Sequence, residues 1–285
     1  MSEKVLVTGV PGNVGTEVVN NLLKRGVTVR VAARNTVKAK ELFGDRVEYA
    51  VFDFANKDTF APSLEGITKV FLMRPPAISD VMTYIFPFVD EMKKKGINQC
   101  VLLSLQGAEY NVFAPHRKIE DYMKQVALPY TFLRPSFFMQ NLNTTHGKQI
   151  KERSEICVPA GKGRTSFVDV RDIGEVAAVV MTQEGHLNCA YTLTGTEALT
   201  YYEVAEIISK ELGRTITYTR PSGSKFAEVM KSEGYQDDMI KVMKVIYMVA
   251  KLRLAAGLSN ELETLLGRKP ITFSQYAKDY RNSWI

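Results

Sequence analysis

The chain has 285 residues, 45% of them hydrophobic and 24% charged, and its 37 Lys and Arg against 31 Asp and Glu leave a formal charge of +6. This is globular composition, which excludes a disordered, collagenous or coiled-coil chain. No apolar run reaches the roughly 18 residues that span a bilayer, because Lys251 and Arg253 break the longest one, and no membrane partner is expected.

Val5 to Thr8 is a short β-branched run that stops at Gly9, and Val14, Val18, Val19, Leu22 and Leu23 then recur at helical spacing up to Arg25. Gly26 ends that helix. Further strands are predicted at Val27–Ala33 and Val47–Phe52, then at Val70–Met73 and Cys100–Ser104, each after a helical stretch, with a sixth at Pro129–Arg134. Strands alternating with helices argue for an α/β fold, a doubly wound parallel sheet covered on both faces, because parallel strands need crossover connections.

After Pro135 the alternation loosens. Asp169–Met181 and Tyr201–Leu212 read as helices with a strand at Tyr191–Thr194 between them, and Phe226–Leu254 holds one or two longer helices. Met239, Val242, Met243, Ile246 and Val249 form an apolar stripe with Lys241, Lys244 and Lys251 across from it. The stripe either packs on the sheet domain or lends its methionines to an adaptable pocket. Residues 214–285 carry 12 Lys and Arg against 7 Asp and Glu, so nearly all of the excess charge lies there. Solvated lysines are the plain reading and no nucleic-acid partner is expected, with an anionic acceptor or an acidic protein partner as the alternative.

Gly9-Val-Pro-Gly12-Asn-Val-Gly15 stands between a strand and a helix, where glycines let the backbone approach a pyrophosphate and the first helix amides face the anion. The spacing is GxxGxxG rather than GxGxxG, and the alternative is a tight turn needed for packing. Where an acidic residue would hydrogen-bond the ribose 2′-hydroxyl, the second strand ends in Ala33-Arg34-Asn35, with Lys38 a turn further. Arg34 suits a 2′-phosphate, so NADP(H) is expected in preference to NAD(H). Asp53 either accepts from the adenine amino group or caps a helix near Lys57. Pro11, Asn13, Val14, Phe54, Met73, Arg74, His116, Pro135 and Phe137 complete the candidate dinucleotide set. Cys100, Cys157 and Cys189 show no CxxC spacing and read as reduced thiols. With a start that enters a strand directly, the expected location is the cytoplasm. The three histidines are scattered, and no metal is expected.

Thr8 to Gly15, Arg34, Asp53, Ser104-Leu-Gln-Gly-Ala108, His116 to Glu120, Pro129 to Asn141 and Phe167 to Ile173 together resemble the NmrA-like branch of the atypical short-chain dehydrogenase/reductases. Within it they are most similar to the bacterial NAD(P)H:quinone oxidoreductase and triphenylmethane reductase type. The resemblance implies a Rossmann-like NAD(P)-binding domain over residues 1–155, with about 165–195 returning to it. It also implies a smaller, mostly helical substrate-side lobe over 156–285 and a nicotinamide in the cleft between them. Ordinary superfamily members use Tyr-x-x-x-Lys. Counting back from Glu120 puts His116 at the lysine and Val112 at the tyrosine, so the pair is missing, and Tyr247 to Lys251 matches the pattern by chance.

Without that tyrosine a simple carbonyl lacks its proton donor, whereas a quinone, azo or dye acceptor spreads the incoming charge. The reading is an NADPH-dependent reductase passing hydride to a quinone-like or other conjugated acceptor. The alternative is a non-catalytic NADP(H) redox sensor, with a protein partner. His116 and Ser104 are the candidate catalytic residues, His116 as a ribose partner or weak proton donor and Ser104 as an orienting group. Phe138, Met139 and Asn141 are candidate substrate contacts beside the nicotinamide. A monomer or homodimer is expected.

Overall fold

Val5, Leu6 and Val7 are wholly buried, as a strand covered on both faces requires, and they form the first strand, β1 (Lys4–Val7). In chain order there follow α1 (Asn13–Lys24), β2 (Thr28–Ala33), α2 (Val37–Phe43), β3 (Glu48–Val51), α3 (Phe60–Ser63), β4 (Lys69–Met73), α4 (Val81–Tyr84), α5 (Phe86–Lys94), β5 (Gln99–Leu103), α6 (Pro115–Gln125) and β6 (Tyr130–Pro135). Next come α7 (Gly147–Arg153), β7 (Glu155–Ile156), β8 (Arg164–Thr165), α8 (Val170–Thr182), β9 (Cys189–Leu193), β10 (Leu199–Thr200) and α9 (Tyr201–Leu212). The chain closes with β11 (Thr217–Tyr218), α10 (Gly223–Ser232), α11 (Asp237–Lys251), α12 (Glu261–Leu266) and α13 (Phe273–Asp279).

The computed structural model describes residues 3–285 and divides into two units. One unit takes the chain up to Pro135 together with Val170–Thr192. Its sheet has the order β3-β2-β1-β4-β5-β6-β9, with parallel pairing from β3 through β6. The order reverses between β1 and β4, and ligands of open parallel sheets bind beyond the carboxyl ends of the strands at such a point. The predicted Rossmann-like doubly wound sheet is therefore present, and the strand over 189–193 returns to it as its seventh member. On one face α1 lies so close to α8 that a Cβ at Gly174 would stand 2.5 Å from the Glu17 Cβ. On the other, Phe52, Phe54, Phe60 and Phe88 form one aromatic cluster with Leu6, Leu72 and Leu102.

The second unit comprises Ser136–Asp169 and Leu193–Ile285. It thus includes residues 136–155, which the sequence reading assigned to the dinucleotide domain. Their apolar side chains, Met139, Leu142 and Ile150, belong to the same core as Phe167, Tyr201, Phe226, Tyr276 and Trp284. Two short ladders, β8 with β10 antiparallel and β7 with β11 parallel, hold its loops together. A capping box starts α9, Thr200 accepting from the Glu203 amide at 3.2 Å while Glu203 accepts from the Thr200 amide at 2.7 Å.

One expected feature is displaced. Helix α11 buries Ile240, Met243, Tyr247 and Ala250, whereas Val242, Ile246 and Val249 of the expected stripe are exposed. The helix is apolar over most of its circumference, so periodicity alone did not single out its inner face, which Tyr247 and Ala250 complete. A Cβ at Gly163 would fall 1.9 Å from the Ala250 carbonyl, showing how closely the backbone passes α11 there. Among the described residues, no helix is long and apolar enough to cross a membrane.

Candidate functional site

A pocket of about 640 Å³ opens in the first unit beyond the carboxyl ends of β1, β2, β3 and β4. Gly9, Pro11, Gly12, Arg34, Asp53, Phe54 and Met73 of the predicted set line it. The glycines are there for space. A Cβ at Gly9 would meet the Met73 sulfur at 2.7 Å, and Gly9 has φ +79°; Cβ atoms at Gly12 and Gly15 would lie 2.8 and 2.6 Å from the Gly9 carbonyl oxygen. The loop therefore folds on its own backbone, the Gly12 amide donating to the Gly9 carbonyl at 2.9 Å. Helix α1 follows with neither a side-chain cap nor an acid in its first turn, which leaves its leading amides free to face an anion. Asn13 and Val14 open that helix, Val14 being buried.

Arg34 is exposed at the pocket edge, and among the described residues it has no carboxylate partner. Asn35 accepts from the Val37 amide at 2.9 Å, turning the chain into α2 immediately after Arg34. Lys38 lies exposed on α2 and does not line the pocket. Asp53 is half-buried with one carboxylate oxygen accepting from the Ala55 amide at 2.9 Å. The helical turn near Lys57 is capped by Asn56, whose side chain accepts from the Asp58 amide at 3.1 Å, so the capping alternative for Asp53 falls away. Phe54 is buried, its ring edge-on to Phe52 at 4.8 Å.

The segment after β4 was missed by sequence reasoning. Pro75, Ile78, Asp80 and Tyr84 line the pocket, and Arg74 holds this segment by donating to the carbonyls of Pro75, Pro76 and Ile78 at 2.9, 3.1 and 2.5 Å. Asp80 caps α4 by accepting from the Thr83 amide, and those hydrogen bonds hold its carboxyl below the usual range. The Pro75-Pro76 pair and the Asp80 cap were visible as turn signals, but nothing in them announced a pocket wall.

His116, in the first turn of α6, is driven down to about 3 by burial, with the positive charge of Arg74 adding to it. It is a neutral imidazole at physiological pH. Its Nδ1 is buried without a partner, and so is the Nε of Arg74. Two orphaned buried nitrogens near the end of β4 are atoms that a polar ligand would satisfy. Ser104 ends up inside a network: its hydroxyl donates to Glu120 Oε1 at 2.6 Å, and Arg134 grips the fully buried Glu120 through Nε at 3.0 Å and Nη2 at 2.6 Å. Arg134 also stands 3.3 Å from Glu109. Val112, at the position where the tyrosine would be, is exposed. Pro135 is buried at the end of β6, its carbonyl accepting from the Gln106 amide at 2.9 Å.

The remaining predicted residues lie in the second unit. Phe137 is half-buried against Tyr247, ring centroids 6.3 Å apart, and Phe138 and Asn141 are half-buried. Met139 is buried in that unit's core, where its contribution is packing. The hydroxyl of Tyr247 is engaged by His146 at 2.5 Å inside the same core, and Lys251 is exposed, so the Tyr-x-x-x-Lys spacing there builds no acid pair.

The sequence pattern of the NmrA-like family matches residues 1–277. The chain belongs to the NmrA-like family. A curated relative, the NAD(P)H azoreductase of Xenophilus azovorans, is 30% identical over 283 residues, covering 96% of each chain. Two solved structures share the fold. One is the triphenylmethane reductase of Citrobacter sp. complexed with NADP(H), 22% identical with a TM-score of 0.87 over 97% of this chain and 99% of that one. The other is the NADPH-dependent quinone oxidoreductase QOR2 of Escherichia coli complexed with NADPH, 23% identical with a TM-score of 0.87 over 98% and 100%.

Proposed function

We propose that this NmrA-like protein, an NAD(P)H-dependent oxidoreductase, uses NADPH in preference to NADH and reduces quinone-like, azo or other conjugated acceptors. The observation that carries the cofactor choice is Arg34, a cation at the pocket edge with no carboxylate partner, at the point where an acid would select the unphosphorylated ribose. The glycine loop and the uncapped start of α1 would take the pyrophosphate, Asp53 the adenine amino group, and the orphaned nitrogens of His116 and Arg74 the polar groups of the nicotinamide half.

When bound, the dinucleotide supplies the hydride. What this chain's own residues supply is orientation and, conspicuously, little acid. His116 is held neutral, and the hydroxyl proton of Ser104 is committed to Glu120. An acceptor that delocalises the added charge and draws its proton from water suits such surroundings, which is why conjugated acceptors are proposed over simple ketones. The azo and quinone chemistry in the names of the relatives supports the same class. Ser104, His116 and Phe138 keep the orienting and acceptor-facing roles expected of them, as part of the proposal.

The test is NADPH oxidation followed at steady state with a panel of quinones, azo compounds and triphenylmethane dyes. Turnover with at least one class, and a lower KM for NADPH than for NADH, is expected. Tight NADPH binding with no turnover on any acceptor would reject the reductase and favour the sensor reading.

A further inference from the structure

Helix α11 turns two faces outward from its axis, and only one of them is covered. Opposite the buried Ile240, Met243, Tyr247 and Ala250 stand Val245, Ile246, Met248 and Val249, and the chain continues into Leu252 and Leu254; Val245 is 66% exposed, Leu252 60% and Leu254 67%. Positions 245, 248, 249 and 252 are one stripe of a helix, not scattered exposures. Charge on this segment has one sign. From Met239 to Asn260 there is no Asp or Glu, while Lys241, Lys244, Lys251 and Arg253 are all present. Lys241 pairs with Asp238 at 2.9 Å, but Lys244, Lys251 and Arg253 have no carboxylate partner among the described residues. At 100° per residue Lys244 and Lys251 fall on one flank of the stripe, between it and the buried face, and Lys241 falls within the stripe itself.

We propose that the outward face of α11, with the turn that follows it, is a docking surface for an anionic lipid bilayer. The aliphatic side chains would enter the boundary between headgroups and acyl chains, while the lysine stems reach along the apolar surface and leave their charges among the lipid phosphates. Charge selects this occupant. A second copy related by a two-fold axis would bring the same unpaired cations against themselves with no carboxylate between Met239 and Asn260 to meet them. The face also lacks the aromatic anchors usual at the centre of protein interfaces, since the one aromatic residue of the helix, Tyr247, is buried. The expectation of no membrane partner rested on the length of apolar runs, a criterion for spanning helices; an interfacial helix lies in the plane of the surface and obeys no such length rule. The proposal is independent of the acceptor.

The experiment is co-sedimentation of the full chain with phosphatidylcholine vesicles, with and without phosphatidylglycerol, at low and high salt. Phosphatidylglycerol is expected to raise the bound fraction by about tenfold or more at low salt, an effect that high salt removes. Val245→Asp with Met248→Asp, and separately Lys244→Glu with Lys251→Glu, should each abolish it. All four side chains are exposed, so the variants should melt with the parent, and a normal melting temperature separates lost docking from lost fold. Equal binding to both vesicle types, or binding that neither variant reduces, overturns the proposal. So does a concentration-dependent dimer dispersed by Val245→Asp, or capture by an acidic protein, without any binding to vesicles.

Discussion

Replacing Arg34 by Glu should reverse the nucleotide preference, and the structure sets the scale. Arg34 is exposed and unpaired, so its guanidinium arrives at a ligand without first breaking an ion pair, and water screens what it gains. A unit pair at 4 Å is worth about 1 kcal/mol in bulk water and about 4 kcal/mol at the effective dielectric near a protein surface. The exposed position belongs near the lower figure. For a phosphate of nearly two charges the loss in Arg34→Ala is then about 1–2 kcal/mol, roughly five- to thirtyfold in affinity. Glu adds a repulsion of similar size, so Arg34→Glu should weaken NADPH binding by roughly thirty- to several-hundredfold. NADH, which has no 2′-phosphate, should change by no more than the few-fold loss of stacking on adenine. Fluorescence titration with both nucleotides reads the ratio directly, and rising salt should shrink the parent's preference but not that of Arg34→Ala. If the NADPH/NADH affinity ratio of Arg34→Glu stays within about threefold of the parent, less than 1 kcal/mol, the guanidinium does not meet the phosphate and the reasoning fails.

Further outcomes follow from the same geometry. Gly15→Ala puts a methyl 2.6 Å from the Gly9 carbonyl oxygen, and the loop must move; a loss of roughly 1–3 kcal/mol with abolished dinucleotide binding is expected from thermal unfolding and titration, whereas Gly147→Ala, with nothing nearer than 3.9 Å, should be neutral. His146, held neutral by burial at about 4, takes up a proton on unfolding below its ordinary value near 6.5. Its contribution is complete above about pH 6.5 and is lost as pH falls toward 4, so urea unfolding should show a shallower acid limb in His146→Gln; identical limbs would refute this. In the Ser104, Glu120 and Arg134 network, Ser104→Ala should cost about 1–2 kcal/mol and Glu120→Gln about 3–5 kcal/mol, because only the second breaks the shorter, buried ion pair and leaves Arg134 with the more distant Glu109. The reverse order in denaturant unfolding would show that the Glu120–Arg134 pair does not stabilise this part of the fold. Because His116 is pushed down to about 3, kcat/KM should show no break near pH 6.5 that His116→Gln removes.

Most of the sheet was readable because parallel strands covered on both faces leave plain apolar runs: the first six strands lie within two residues of where Val5–Thr8, Val70–Met73 and the others placed them. The glycine loop was readable for the complementary reason that its residues are chosen for the absence of a side chain. What sequence could not show depends on partners far along the chain. Tyr247 faces inward because His146, about a hundred residues earlier, meets its hydroxyl, and no window of α11 contains that fact. The wall at Ile78, Asp80 and Tyr84 exists because Arg74 gathers three carbonyls, a backbone event without a periodicity. Residues 136–155 follow a strand of the dinucleotide unit without a break in composition, so their transfer to another core was invisible.

The missing tyrosine gains its meaning only when the charges around its place are known. A chain could lose that residue and recruit another acid nearby, and His116 looked able to serve. Its environment argues otherwise: burial and Arg74 favour the uncharged ring, and a neutral imidazole is a hydrogen-bond partner and a very weak acid. Glu120, buried beside Ser104, has its carboxylate oxygens held by Arg134 and by the Ser104 hydroxyl. With His116 neutral and Glu120 engaged by Arg134, the proposed reading leaves selection among acceptors to the acceptor's own electronics. Those that stabilise the added charge by conjugation retain a route forward, and those that need an acid at the reacting oxygen do not.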